Sequence, residues 1–146
     1  MKKASSDLLL LDVNVLLALA WPNHQFHTAT VRALSNQTRW ATCALTQLGF
    51  IRLSANRAVV ATAKSPQQSA SLLGQLLEDP LHVYLDSLPE PVSEKCRTLF
   101  ANILVHPQVT DAYLLQVAVA NDATLGTFDR RLESIAKNAA RVILLS

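Results

Sequence analysis

Short apolar runs alternate with helical patterns along this chain. The run at 8–11, which ends at Asp12, predicts a buried strand, and the apolar segment 13–20 predicts a helix directly after it. Thr110 is predicted to cap a helix that is apolar nearly all round and should lie buried. The remaining patterns predict strands over 40–44, 81–85, 123–128 and 141–145, and helices over 24–35, 44–53, 66–78, 92–103 and 110–120. This order predicts an α/β fold with a central parallel sheet of about five strands and helices on both faces.

The composition is that of one globular domain. The 146 residues fit a single domain over 1–146. Half of them are hydrophobic and 16% are charged, which excludes disorder. The high apolar fraction suggests that another chain covers part of the apolar surface, although buried parallel strands would also raise it. The net charge of +2 is too small for a protein that coats nucleic acid. A few arginines and a metal ion could still bind RNA, so the charge leaves an RNA substrate open.

The cysteines and the N-terminus favour a cytoplasmic protein. Cys43 and Cys96 are far apart and have no zinc-binding spacing, so we expect reduced, buried thiols. The basic start and the apolar run after it superficially resemble a signal peptide, but Asp7, Asp12 and Asn14 interrupt that run. No stretch is long and clean enough to predict a membrane span.

Three aspartates are predicted to share one edge of the sheet. Asp12 follows the first strand, Asp111 begins the buried helix and Asp129 follows the fourth strand. In a parallel sheet the carboxyl ends of the strands and the starts of the following helices meet at the edge where ligands bind. Each aspartate alone is more simply explained as a helix cap. All three together favour a site for Mg²⁺ or Mn²⁺, which could activate water for hydrolysis of a phosphodiester.

Four segments in order resemble the PIN-domain family, and most closely its bacterial VapC-like toxins. The resemblance runs in order over nearly the whole chain, from 8 to 132, and the ordered set is more specific than any one motif. The segments are LLDVNVLL at 10–17, ATCALTQLGFIRL at 41–53, VTDAYLL at 109–115 and TFDRRL at 127–132.

The resemblance implies a magnesium-dependent endoribonuclease with a three-layer α/β/α fold. Asp12 and Asp111 would be the principal metal ligands, and Asp129 would complete the site directly or through water. Asn14, Thr110 and Thr127 would orient these carboxylates. The resemblance also implies a homodimer held inactive by a VapB-like antitoxin, whose C-terminal segment enters the active-site groove.

Gln47 departs from the family pattern. The family commonly has Glu at this position, and a neutral amide adds no negative charge to a metal site. The departure puts a two-metal mechanism in doubt and leaves one well-held ion. Asp86, after the third predicted strand, could substitute, although a simple loop carboxylate is the more economical interpretation.

Several other side chains have two interpretations. Arg130 and Arg131 follow Asp129 and could contact RNA phosphates or simply be solvated. His24 and His27 have a spacing that can bind metal but lack a third ligand nearby, so a surface role at a helix start is favoured. The other two histidines, 82 and 106, are given no catalytic role, and the tryptophans, 21 and 40, are expected in the core or a dimer interface.

Other functions are excluded or kept as alternatives. The chain has three glycines and therefore no P-loop, GxGxxG motif or nucleophile elbow. Asp12 to Asn14 resembles the DxD start of haloacid-dehalogenase-type phosphatases, but Asn14 replaces their general acid. After the nuclease, the second hypothesis is a binding module in which the loss of Glu at Gln47 has abolished catalysis, leaving a scaffold that binds RNA or an antitoxin. The third hypothesis is a phosphatase of another doubly wound family.

Overall fold

The computed structural model describes residues 8–35, 38–103 and 105–145, which form five strands and seven α-helices. The strands are β1 (Leu8–Leu11), β2 (Arg39–Cys43), β3 (His82–Leu85), β4 (Thr124–Thr127) and β5 (Val142–Leu144). The helices are α1 (Val13–Ala20), α2 (His27–Leu34), α3 (Ala44–Ser54), α4 (Pro66–Leu76), α5 (Glu94–Phe100), α6 (Val109–Ala120) and α7 (Arg131–Ala136). A short 3₁₀ helix, His106–Gln108, leads into α6.

The five strands form one parallel sheet in the order β3-β2-β1-β4-β5. The central strand β1 pairs with both β2 and β4, and Leu11 at its end lies opposite Gly126 of β4. The residues that follow β1 and β4 therefore leave the sheet side by side. This pairing is what brings Asp12 close to Thr127.

Side chains of β1 alternate between two cores, one on each face of the sheet. Leu8 and Leu10 pack with buried residues of α5, α6 and α7, whereas Leu9 and Leu11 pack with α1, α3 and α4. Two apolar layers on opposite faces require helices on both sides. The structure thus confirms the predicted three-layer α/β/α fold. Trp21 and Trp40 are buried in the second core, as expected, and Cys43 and Cys96 are buried free thiols.

Three local predictions were wrong or incomplete. The 3₁₀ helix runs directly into α6, so Gln108 has a helical backbone and occupies the cap position without a side-chain bond. Thr110 therefore lies exposed inside the first turn and does not cap the helix. Helix α2 begins at His27, because a turn joins the His27 N–H to the carbonyl of His24 at 3.0 Å. Helix α7 was not predicted at all.

None of the helices in the described ranges is long and apolar enough to cross a membrane.

Candidate active site

Asp12 is a buried carboxylate at the junction of β1 and α1. One of its oxygens accepts a hydrogen bond from the backbone N–H of Val15 at 3.0 Å and so caps α1. The other accepts a hydrogen bond from the hydroxyl of Thr127. The residue is only 4% exposed, and this burial raises the pKa of Asp12 despite the hydrogen bonds that favour its ionised form. An ionised carboxylate at this buried position is not solvated by water and therefore needs a positively charged partner.

Asp111 lies in the first turn of α6 and faces the same place. Burial, together with the negative charges of Asp12 and Asp129, raises the pKa of Asp111 to about 6, although the charge of Arg131 acts in the opposite direction. The carboxylates of Asp12 and Asp129 thus lie within electrostatic range of Asp111. Within the described part of the chain, neither Asp12 nor Asp111 forms an ion pair.

Asp129 is held differently, because Arg131 binds both of its carboxylate oxygens. One oxygen accepts the backbone N–H and the Nε–H of Arg131 at 2.9 and 3.0 Å, and the other accepts Nη2–H at 2.9 Å. These hydrogen bonds lower the pKa of Asp129, and the bond from the Arg131 side chain has the largest effect. The third carboxylate is therefore ionised and already neutralised by an arginine that is itself 68% exposed.

Thr127 joins two of the aspartates. Its fully buried hydroxyl donates to Asp12 and accepts the backbone N–H of Asp129 at 3.0 Å. Asn14 and Thr110, the other residues expected to orient carboxylates, are exposed. Among the described residues, neither of their side chains makes a hydrogen bond with an aspartate of this site.

Gln47 is hydrogen-bonded to β2 and, among the described residues, to none of the three aspartates. Its amide Nε2 donates to the hydroxyl of Thr42 at 3.0 Å, and that hydroxyl lies 2.7 Å from Nε2 of His82. Asp86 lies exposed beyond the end of β3, two strands away from β1. Neither residue is among the groups that perturb the pKa of Asp111.

The donor set suits a cation that takes few protein ligands. Across the described ranges, no three His, Cys, Asp or Glu side chains form a group that could hold a metal ion by themselves. Mg²⁺ needs less than this, because it commonly binds one or two carboxylates and completes its shell with waters and substrate phosphates. Asp12 and Asp111 supply two oxygen donors whose pKa values are raised, first of all by burial. The pair therefore fits Mg²⁺ or Mn²⁺.

Two features of this region were missed by the sequence analysis. The pairing of Arg131 with Asp129 has a signal in hindsight, since an Asp side chain readily bonds the backbone two residues on. The second feature is a ring cluster in which Phe128 lies 4.6 Å from Phe26 and 6.1 Å from His24. No local pattern could have predicted it, because its members come from distant segments.

Comparison with known proteins identifies close relatives by sequence. A model of the PIN domain matches residues 9–138. The chain is 36% identical over 127 residues to "Ribonuclease VapC39" of Mycobacterium tuberculosis, a match that covers 84% of this chain and 89% of the relative. It is 37% identical over 131 residues to "Ribonuclease VapC38" of the same organism, with 88% and 89% covered.

A solved structure has the same fold. It is the crystal structure of VapBC2 from Rickettsia felis bound to a DNA fragment from their promoter. The match has a TM-score of 0.60 and covers 95% of this chain and 99% of the other, at 14% sequence identity. At that identity the likeness concerns the fold alone.

Proposed function

The chain belongs to the PIN-domain family, and from this premise we propose that it is a metal-dependent endoribonuclease, the toxin of a VapBC-type toxin–antitoxin pair. The observation that carries the proposal is the pair Asp12 and Asp111. Both carboxylates lie at the edge of the sheet where the strands end, burial raises the pKa of each, and within the described part of the chain neither forms an ion pair. The relatives named ribonucleases support RNA as the substrate.

In this proposal Asp12 and Asp111 hold one Mg²⁺ or Mn²⁺. Held there, the ion would supply Lewis acidity for hydrolysis of the RNA phosphodiester and would offset the negative charge that develops on the phosphoryl oxygens. Thr127 fixes the orientation of Asp12, while the N–H groups of the first turn of α1 hold the same carboxylate from the other side. Asn14 and Thr110, both exposed at this edge, orient waters or phosphates rather than carboxylates.

Asp129 and its arginines form the RNA-facing side of the site. Arg131 is 68% exposed and can exchange Asp129 for an RNA phosphate, because both are oxyanions that a guanidinium binds in the same way. Asp129 would then be free to complete the metal site directly or through water. Arg130 is exposed and adds a second phosphate contact.

The partners proposed are a VapB-like antitoxin and a second copy of the chain, acting in the cytoplasm. The sequence relatives named VapC and the VapBC2 structure with the same fold support the first. Exposed apolar side chains support the second. Leu48, Leu88 and Val109 are 64%, 40% and 42% exposed and line one cavity of about 370 Å³ beside the start of α6. Apolar residues gathered in this way are typical of an interface.

The contact of Gln47 with Thr42 keeps a second candidate function open. A PIN-domain chain without the usual Glu, whose Gln is engaged elsewhere, could bind RNA or an antitoxin without cutting. Such a module would not need to bind a metal ion through Asp12 and Asp111. Metal affinity and cleavage therefore separate the two functions.

The experiment is cleavage of total RNA by the purified, antitoxin-free protein with Mg²⁺ or Mn²⁺, with EDTA as the control. Asp111→Asn is the main variant, since it removes one charge and keeps the shape of the side chain. Asp12→Asn is the second, because Asn retains an oxygen that can cap α1. Discrete cuts that disappear with either variant and with EDTA support the nuclease. A folded wild-type protein that binds RNA but makes no cut in a broad RNA pool supports the binding module.

A further inference from the structure

A small cavity opens beside the first turn of α1, next to the proposed metal site. Its volume is about 180 Å³. Its inner walls are the buried side chains of Leu17, Trp21 and Val60. Its polar lining comes from Asn14, Asn23 and His24, and the proposed chemistry uses only the first of them. The cavity thus has apolar walls and a polar rim.

The polar groups on this rim have unused hydrogen-bonding capacity. Nδ1 of His24 accepts the backbone N–H of Phe26 at 3.0 Å, which leaves the neutral ring with a free Nε2–H donor. Burial lowers the pKa of His24, so the neutral form prevails near neutral pH. The amides of Asn14 and Asn23 form no hydrogen bond within the described residues, and each offers both a donor and an acceptor.

The size of the cavity limits what can enter it. A cavity of roughly 150 Å³ can hold a benzene molecule. A volume of about 180 Å³ therefore suits one six-membered ring with polar substituents, whereas a fused double ring would protrude. Nζ of Lys64 lies 5.9 Å from the centre of the Trp21 ring, so a cation is also present beside this wall.

The cavity is connected to the proposed catalytic edge on two sides. Asn14 belongs to the turn of α1 whose backbone N–H groups hold Asp12. On the other side, the ring of His24 lies 6.1 Å from that of Phe128, the residue between Thr127 and Asp129. A strand whose phosphate reaches Asp12 and Asp111 would therefore carry a neighbouring base past this opening.

We propose that this cavity is a base-binding subsite, which takes a pyrimidine of single-stranded RNA next to the cleaved bond. Asparagine amides and an imidazole N–H can match the donors and acceptors on the edge of an unpaired base, while the apolar walls cover its faces. The inference rests on the proposed ribonuclease function, because it names part of that enzyme's substrate. It assigns Asn23 and His24 to specificity and gives them no role in bond cleavage.

The first test is binding of short RNA homopolymers in the Asp111→Asn background with EDTA, so that metal-dependent cleavage does not interfere. We expect uridine and cytidine oligomers to bind about tenfold more tightly than adenosine and guanosine oligomers. Hydrogen bonds that recognise one base specifically give a discrimination of this size. Asn23→Ala and His24→Phe should reduce this preference to less than about twofold. Phe keeps a ring against Phe128, and Asn23 is exposed, so neither change should unfold the protein. Asn138→Ala removes another exposed amide, away from this cavity, and should change nothing.

The second test maps the cut sites of the metal-loaded wild type and the two cavity variants. Variants that still cut but lose selection for a pyrimidine beside the cut support the subsite. Unchanged cut sites and an unchanged binding preference would overturn it and leave the nuclease intact. If the wild type makes no cut, but its pyrimidine preference disappears with Asn23→Ala, the subsite stands and the nuclease fails. A purine preference, or none, in the parent protein overturns the subsite directly.

Discussion

The hydroxyl of Thr127 donates a hydrogen bond to Asp12, although 115 positions separate the two residues in the sequence. The contact exists because β1 and β4 are neighbours in the sheet and end at the same level. The same hydroxyl accepts the N–H of Asp129 at 3.0 Å. One buried side chain thus fixes a proposed metal ligand and the start of the segment that carries another carboxylate.

Replacing Thr127 by Val should therefore weaken both the fold and the metal site. The variant leaves one oxygen of a buried carboxylate without its side-chain donor, which costs about 1–3 kcal/mol of unfolding free energy. Without that bond the pKa of Asp12 should rise further, so protons compete better with Mg²⁺. Urea unfolding and Mg²⁺ titration measure the two effects. Thr127→Ser keeps the hydroxyl and should bind Mg²⁺ as the wild type does, so equal Mg²⁺ affinity in Val and Ser variants would contradict the role of the hydroxyl.

Asp111 should make the metal-free protein less stable as the pH rises. Its ordinary pKa is 3.8 and its pKa in the folded chain is about 6, so the folded state binds more protons than the unfolded state between these values. The free energy of unfolding must then fall as the pH rises through this window and level off above it. Asp111→Asn should remove the share of this dependence that Asp111 contributes and stabilise the metal-free protein by about 1–2 kcal/mol near pH 7.5, a value reduced for the partial exposure of the group.

Thermal unfolding with and without Mg²⁺ checks this prediction. The wild type should gain stability from Mg²⁺ near pH 7.5 and little near pH 5, because the protonated carboxyl cannot bind the ion. Asp111→Asn should gain little at either pH. A wild-type stability that rises between pH 4 and 6, once the other carboxylates are accounted for with the variant, would show that Asp111 lies in a different environment.

The edge that carries the site was predictable from the sequence, and the positions of individual side chains were not. Asp12 and Asp129 each follow a short apolar strand, and parallel strands end at a common edge whatever their order in the sheet. The orientation of Asp129 depends on Arg131 at the start of α7. That helix has apolar residues at helical spacing, Leu132, Ile135 and Ala136, but its six residues are too few for a periodic pattern to stand out.

The hydrogen bond of the Gln47 side chain could not be predicted from the local sequence pattern either. Its partner Thr42 lies in β2, and the next member of the network, His82, lies in β3. Strand pairing between segments far apart in the sequence creates this network. The resemblance placed Gln47 near a metal site, whereas its hydrogen bond is directed at these two strands.

Gln47→Glu should reverse the hydrogen bonds of this network. At present the amide N–H donates to the Thr42 hydroxyl, whose own hydrogen is free to go to Nε2 of His82. A carboxylate at position 47 can only accept, so the Thr42 hydrogen must turn to it and Nε2 must become the donor. Burial lowers the pKa of His82 in the native chain, and the change should raise it.

The measurement is the NMR titration of the His82 ring, with Gln47→Met as the matched control. Methionine removes the amide and leaves Thr42 free to donate to His82, so it should not raise the pKa. If the Glu variant leaves His82 unchanged and binds Mn²⁺ more tightly than the wild type, position 47 belongs to the metal site after all.

Two helical glycines should respond in opposite ways to substitution by alanine. A Cβ on Gly49 of α3 would lie 2.7 Å from Cγ2 of Val13, the residue directly after Asp12. Val13 is β-branched and cannot move aside easily, so α1 must shift and take the Asp12 cap with it. We expect Gly49→Ala to cost about 1–3 kcal/mol of unfolding free energy and to weaken Mg²⁺ binding.

A Cβ on Gly74 of α4 meets nothing within 4 Å, so Gly74→Ala should gain about 0.5–1 kcal/mol from helix propensity and leave Mg²⁺ affinity unchanged. Denaturant unfolding and Mg²⁺ titration of both variants test this, and a Gly49→Ala protein as stable as the wild type would show that the contact of α1 with α3 does not set the position of Asp12.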